Sequence, residues 1–213
     1  MTPTVTLQYL FDPLCGWCYG ASASIGALDQ HPAIELQPMA TGLFAGSGAR
    51  PMKSFAADAW AMDQHIGALS GQPFSENYRT KVLGSEDSLL DSTVATRAVA
   101  AVSASAPDRV IEALTAIQSA RYFGGKDVTS NIVVAGLLTD LDLTDASARL
   151  LAADDSLLQL VNTQTKASRE LMGAYTLQGV PSLIATVNGE QSILDASALY
   201  PKTDDILSAL KLA

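Results

Sequence analysis

The sequence predicts an α/β protein in which a small central mixed sheet, flanked by helices, is interrupted by an all-helical insertion. Three observations carry this expectation. Strand-like runs lie near both ends of the chain, and between about residues 52 and 175 the apolar residues recur at helical spacing instead. The first two runs, 4–10 and 33–39, enclose a helix-like stretch, which is the minimal βαβ unit with parallel strands. The last two, 182–187 and 190–194, are joined by Asn188-Gly189, the strongest short-range hairpin signal in the chain.

Taken in order, residues 4–10 (TVTLQYL) mix β-branched and aromatic residues and read as a strand. The segment FDPLCGWCYG follows at once, and the small and apolar residues after it read as a helix ending near His31-Pro32. Residues 33–39 (AIELQPM) alternate apolar and polar, giving the second strand. The glycine-rich stretch 41–51 lacks a Lys-Ser/Thr ending and phosphate-cradle spacing. It reads as a mobile loop, with a lid role near the motif as the lesser alternative. Helices are expected over 54–69, 88–106, 107–123, 130–141, 145–154 and 156–177, several opening on Ser, Asp, Asn or Pro as helix starts do. After Gly179-Val180-Pro181 the period returns to two for the hairpin, and a last helix begins at Thr203. The expected domains are 1–50 with 176–213, carrying the sheet, and 51–175, the helical insertion.

Composition narrows the function classes. The chain has 213 residues, 48% hydrophobic and 16% charged, so it is globular rather than disordered. Its net charge of −9, with no basic run, argues against nucleic acid as a partner. No segment offers about 18 uninterrupted apolar residues, so no membrane span is expected. The N-terminus lacks a charged start, a long apolar run and a cleavage site, so no signal peptide is read and a cytoplasmic location is expected.

The chemistry concentrates in the chain's two cysteines, Cys15 and Cys18, at a strand-to-helix junction. Thiols at i and i+3 of a first helical turn share a face and can close a small disulfide ring. Unpaired N–H groups at the helix start favour a thiolate. Cys15, nearer that field, is the expected nucleophile, and Cys18, one turn inward, the resolving thiol. Gly16 and Trp17 between them tune how oxidising the pair is. A zinc site is disfavoured because only His31 and His65 remain as soft ligands, without paired spacing; both read as capping or surface residues. A structural staple is disfavoured because so short a loop yields little loop-closure entropy. Two further features stand near the motif in this reading. Val180-Pro181 offers a site for a cis peptide that would turn Val180 backbone groups toward the cysteines, against an ordinary trans proline opening a strand. Asp12 is either a proton shuttle that also raises the thiol pKa or, the slightly favoured reading, a turn and helix cap with Pro13.

FDPLCGWCYG, IQSARYFGGKDVTS (117–130) and QGVPSLIATVNGE (178–190) together resemble the DsbA-like branch of the thioredoxin superfamily, closest to its FrnE-like and predicted protein-disulfide isomerase members. The resemblance spans essentially the whole chain. It implies a thioredoxin fold with an inserted helical domain, and an enzyme: a disulfide oxidoreductase or isomerase. Cys15 is then the nucleophile, Cys18 the resolving cysteine and Pro181 the cis-proline facing them. DsbA proper carries Pro-His between its cysteines, so Gly16-Trp17 implies a weaker oxidant. The architecture is also similar to kappa-class glutathione transferases and 2-hydroxychromene-2-carboxylate isomerases, which commonly have Ser where Cys15 stands. Two alternatives therefore stay open beside dithiol exchange: a glutathione-dependent transferase or isomerase, and a non-catalytic redox-sensing or metal-binding module. In the leading reading the partners are protein or small-molecule thiols and disulfides with an unidentified recycling partner. No cofactor or metal is required beyond the redox-active pair, with glutathione a candidate co-substrate.

Overall fold

The computed structural model describes residues 5–200 and 204–212. Strand β1 (Val5–Phe11) runs into the cysteine motif, and helix α1 (Gly16–Gly20) starts inside that motif rather than after it. Helix α2 (Ser22–Asp29) continues from α1 through a bend at Ala21 (φ −78°, ψ −9°), with Ala21 N–H still bonded to Trp17 O and Ile25 N–H to Ala21 O. Strand β2 (Ile34–Ala40) completes the βαβ unit.

The stretch 41–51 is anchored rather than a free loop. Its carbonyls at Thr41 and Gly42 accept from Arg169, its Phe44 N–H is bonded to Asp12, and its Gly46 N–H to Thr93. It ends in a short strand, β3 (Arg50–Pro51). Next come α3 (Ala56–Ser70), a single turn α4 (Glu76–Tyr78) and a turn of π-helix over Arg79–Leu83. Leu89 and Leu90, expected to open a helix, instead form β4 (Leu89–Leu90), antiparallel to β3. The helix starts later because Asp91 accepts from the Thr93 N–H and hydroxyl, a local turn that competes with helix at that point.

The insertion continues through α5 (Thr93–Ser105), α6 (Val110–Tyr122), α7 (Asn131–Asp140), α8 (Thr144–Ala152) and α9 (Asp155–Ala174). The predicted start at Ser130 acts as a cap, its side chain accepting from Val133 N–H, whereas α9 is capped not at the expected Ser156 but by Asp154, which accepts from Leu157 N–H. The hairpin is β5 (Ser182–Val187) and β6 (Glu190–Leu194), turned by Asn188-Gly189 as expected, and α10 (Asp204–Ala209) closes the chain. Residue 4 and the predicted helix start at Thr203 lie outside the described residues.

The main sheet has the order β2-β1-β5-β6, with β1 parallel to β2 and antiparallel to β5. This is the predicted mixed α/β class. The central β1 is covered on both faces, so Leu7, Tyr9, Leu10 and Phe11 are all buried, whereas the outer β6 is largely exposed and carries Glu190 and Gln191. The interior is one apolar cluster that runs from the sheet into the inserted helices. Helix α1 lies against α3 and α6, and α9 lies against β2, so the insertion supports the strand-to-helix junction directly.

One close backbone approach in the insertion gives a sharp test. Gly125 has φ +65°, and a Cβ there would fall 2.5 Å from the Asn77 carbonyl oxygen. Gly125→Ala is expected to destabilise the protein by at least ~2 kcal/mol, the left-handed backbone penalty plus the clash. Denaturant unfolding measures it; an unchanged midpoint would refute the packing of 124–126 on the α4 turn.

Candidate active site

The site begins where β1 ends. Cys15 is the N-cap of α1 with extended backbone (φ −84°, ψ 123°), and its N–H is bonded to the Asp12 carbonyl, closing a turn. Asp12 is fully buried. Its Oδ1 accepts from Leu14 N–H at 2.8 Å, and its Oδ2 accepts from Ser92 Oγ at 2.7 Å and Phe44 N–H at 3.1 Å. The carboxyl thus ties the turn to the 41–51 stretch and to the residue preceding α5. Burial raises its pKa, against these hydrogen bonds, which lower it.

Both cysteines are free thiols, and they differ in access: Cys15 is 7% exposed and Cys18 0%. Burial is the largest cause pushing the Cys18 thiol well up, followed by its hydrogen bond with Cys15; the Asp12 charge adds a smaller push. Cys15 Sγ lies 3.5 Å from the Val180 carbonyl oxygen, which accepts from it across 165 residues of sequence. The Val180-Pro181 peptide is cis. Trp17, Val180 and Pro181 share the wall of a groove of about 670 Å³ with Leu69, Ser197 and Tyr200. All seven residues singled out in the sequence therefore cluster at one end of β1, with the Asp12 carboxyl directed away from the groove into its turn.

Gly16 has a packing role beyond tuning. A Cβ at that position would sit 2.6 Å from Asp63 Oδ1 on α3, so any larger residue would have to displace the Asp63 carboxyl. Asp63 was not apparent from the sequence as a site residue. It is 5% exposed, accepts from Tyr78 OH at 2.9 Å, and has its pKa pushed by burial up to about 7. The signal that could have found it is its i,i+3 relation to the buried Ile66, which puts an acidic residue on the buried face of α3. Arg121 lies near it, fully buried, its guanidinium 5.8 Å from the Tyr78 and Tyr122 ring centres. With Cys15, Gly16, Tyr78 and Tyr122, Asp63 lines a cavity of about 290 Å³.

Three tyrosine hydroxyls clamp the motif backbone and its helix. Tyr122 donates to Leu14 O at 2.7 Å, Tyr200 to Trp17 O at 2.8 Å, and Tyr19 to Pro73 O at 3.0 Å. Trp17 is further held edge-on by Tyr200 and His65. His31 accepts from Ala33 N–H at the start of β2, a capping arrangement. Among the described residues no group of three His, Cys, Asp or Glu is placed to hold a metal, and no helix is long and apolar enough to cross a membrane.

The fold has solved counterparts. The cytosolic disulfide reductase DsbM from Pseudomonas aeruginosa is 28% identical, with a TM-score of 0.86 over 98% of this chain and 100% of that one. The chain is a DsbA-like member of the thioredoxin superfamily. It belongs with the disulfide oxidoreductase and isomerase enzymes of that branch, as the resemblance implied. A candidate protein disulfide isomerase from Nitrosomonas europaea is 22% identical with a TM-score of 0.74, covering 97% of this chain and 98% of that one. A 2-hydroxychromene-2-carboxylate isomerase shares the fold at 17% identity and a TM-score of 0.64, covering 97% and 94%. No protein-family model and no curated protein matches the sequence. In this DsbA-like chain the motif carries Gly16-Trp17 between its cysteines, and among the described residues no cationic side chain hydrogen-bonds to either sulfur.

Proposed function

We propose that this chain is a disulfide reductase of the reducing compartment that exchanges thiols through Cys15 and Cys18, with glutathione returning the electrons. The observation that carries the reading is the Cys15 sulfur at 3.5 Å from the Val180 carbonyl, at the edge of an apolar groove, with Cys18 buried behind it. The Val180 backbone beside the groove suits an extended peptide or a glutathione-like thiol, whose main-chain groups would pair there.

In the proposed cycle the Cys15 thiolate attacks one sulfur of a substrate disulfide. The substrate S–S bond breaks, a Cys15–substrate disulfide forms, and the other sulfur leaves as a thiolate that takes a proton. Cys18 then attacks the Cys15 sulfur, its proton passing to the departing thiolate. The substrate is reduced by two electrons and the Cys15–Cys18 disulfide remains. Two glutathione thiols restore the dithiol and become glutathione disulfide. A reducing rather than oxidising direction is supported by the electrostatics: a strong oxidant needs a stabilised thiolate, and here burial disfavours ionised Cys18 while no cation among the described residues bonds either sulfur. DsbM, which has also been solved with glutathione at 28% identity and a TM-score of 0.84 over 97% of each chain, supports the same partner.

Cys18→Ser separates this reading from a glutathione transferase or isomerase. With glutathione disulfide it is expected to accumulate one glutathione on Cys15, seen by intact mass, and to lose catalytic turnover. Full turnover without the second thiol would overturn dithiol exchange and favour the glutathione-dependent alternative.

A further inference from the structure

Behind the redox site, the 41–47 stretch, the start of α5 and the middle of α9 enclose a separate pocket of about 440 Å³. Its size falls within the range of small-molecule sites. Its chemistry is unlike the rest of the molecule. The chain has 13 basic against 22 acidic residues, yet two arginines, Arg97 and Arg169, line this one pocket and no carboxylate does.

The donors there are only partly used. Arg169 spends Nε and one Nη2 bond on the carbonyls of Thr41 (2.8 Å) and Gly42 (2.6 Å), which fixes its guanidinium in the wall. Arg97 is half-buried and makes no hydrogen bond or ion pair with any described residue. Thr96, in the same wall, is 2% exposed, and its hydroxyl has no partner among the described residues. A buried hydroxyl without a partner costs ~1–3 kcal/mol, and a half-buried guanidinium without a counter-charge is also unfavourable. Both are relieved by one kind of occupant, an anion with several acceptor oxygens. Leu158 and Val161 supply an apolar flank for its carbon body.

We infer that this pocket binds a phosphorylated small molecule, with the phosphate between Arg97, Arg169 and the Thr96 hydroxyl. A phosphate offers more acceptor oxygens and more charge than a carboxylate, which fits two guanidinium forks and a hydroxyl in a pocket without acidic residues. The inference is independent of the disulfide chemistry, since no lining residue belongs to the redox motif.

The test is calorimetric titration of the full chain with glycerol 3-phosphate, inorganic phosphate and succinate. Saturable binding of glycerol 3-phosphate is expected, weaker for inorganic phosphate and weakest for succinate. Arg97→Gln and Thr96→Val should each weaken it by at least about tenfold, while disulfide reduction by both variants stays at the wild-type rate. Arg169 is left intact because it holds the 41–42 backbone. Absence of saturable phosphate binding, a preference for succinate, or equal affinity in both variants that melt like wild type would each overturn the assignment. Loss of disulfide reduction by the wild-type chain would bear on the redox reading alone.

Discussion

Cys15→Ser is expected to reduce the rate of insulin or glutathione-disulfide reduction to background, a loss of more than about a thousandfold. The Cys15 sulfur, the more accessible of the two, is where the substrate bond must form, because Cys18 is fully buried and reachable only through the Cys15 adduct. Serine keeps the size of the side chain, so the fold should survive and the melting temperature should move little. A hydroxyl in place of the thiol removes both the nucleophile and half of the electron-carrying pair. Activity near wild type in Cys15→Ser would refute the assignment of this site as the redox centre. The companion variant Cys18→Ser separates roles, since it retains the first attack and stalls after it.

Asp63→Asn is expected to remove a large pH dependence of stability. In the unfolded chain Asp63 titrates near the ordinary value of 3.8, whereas burial in the fold raises it to about 7. Below the lower value the carboxyl is protonated in both states and folding bears no penalty. As pH rises through the window from 3.8 to about 7, the unfolded state ionises first and stability falls. Above about 7 the penalty is complete, at most ~4 kcal/mol from the size of the shift. Asparagine mimics the protonated carboxyl and still accepts from Tyr78 OH, so the variant should match wild type near pH 4 and exceed it at pH 8. Denaturant unfolding at the two pH values measures the difference. Parallel pH profiles for the two proteins would show that Asp63 is not held protonated against Gly16.

The site was legible in the sequence to unequal depth. Cys15 and Cys18 were readable because i,i+3 spacing at a strand-to-helix junction is a local property. The strands, the Asn188-Gly189 hairpin and most of the helices were readable for the same reason: periodicity and turn chemistry act within a few residues. Leu89 and Leu90 misled because a leucine pair before a helix fits either state, and pairing with Arg50-Pro51 decided it. The 41–51 stretch misled because glycine content suggests freedom, whereas Arg169 and Asp12, distant in sequence, bind its backbone.

Asp63, Tyr122 and Tyr200 were not readable as site residues. Each is a single polar residue in an otherwise ordinary segment; Asp63 and Tyr122 reach the motif only when the insertion folds back on the sheet, and Tyr200 only when the segment after β6 does. Gly16 illustrates the division: its place between the cysteines is plain in the sequence, but the Asp63 carboxyl that would lie 2.6 Å from a Cβ there is brought up only in the packed molecule. Local order along the chain thus set the chemistry, two thiols one helical turn apart at the end of a strand. Tertiary packing chose the surroundings of those thiols. Seating β1 between β2 and β5 brings Val180 across 165 residues to within 3.5 Å of Cys15, and laying α3 on α1 puts a buried carboxyl against the motif. Contacts between residues so far apart depend on how the strands and helices are stacked, and no short-range pattern encodes them.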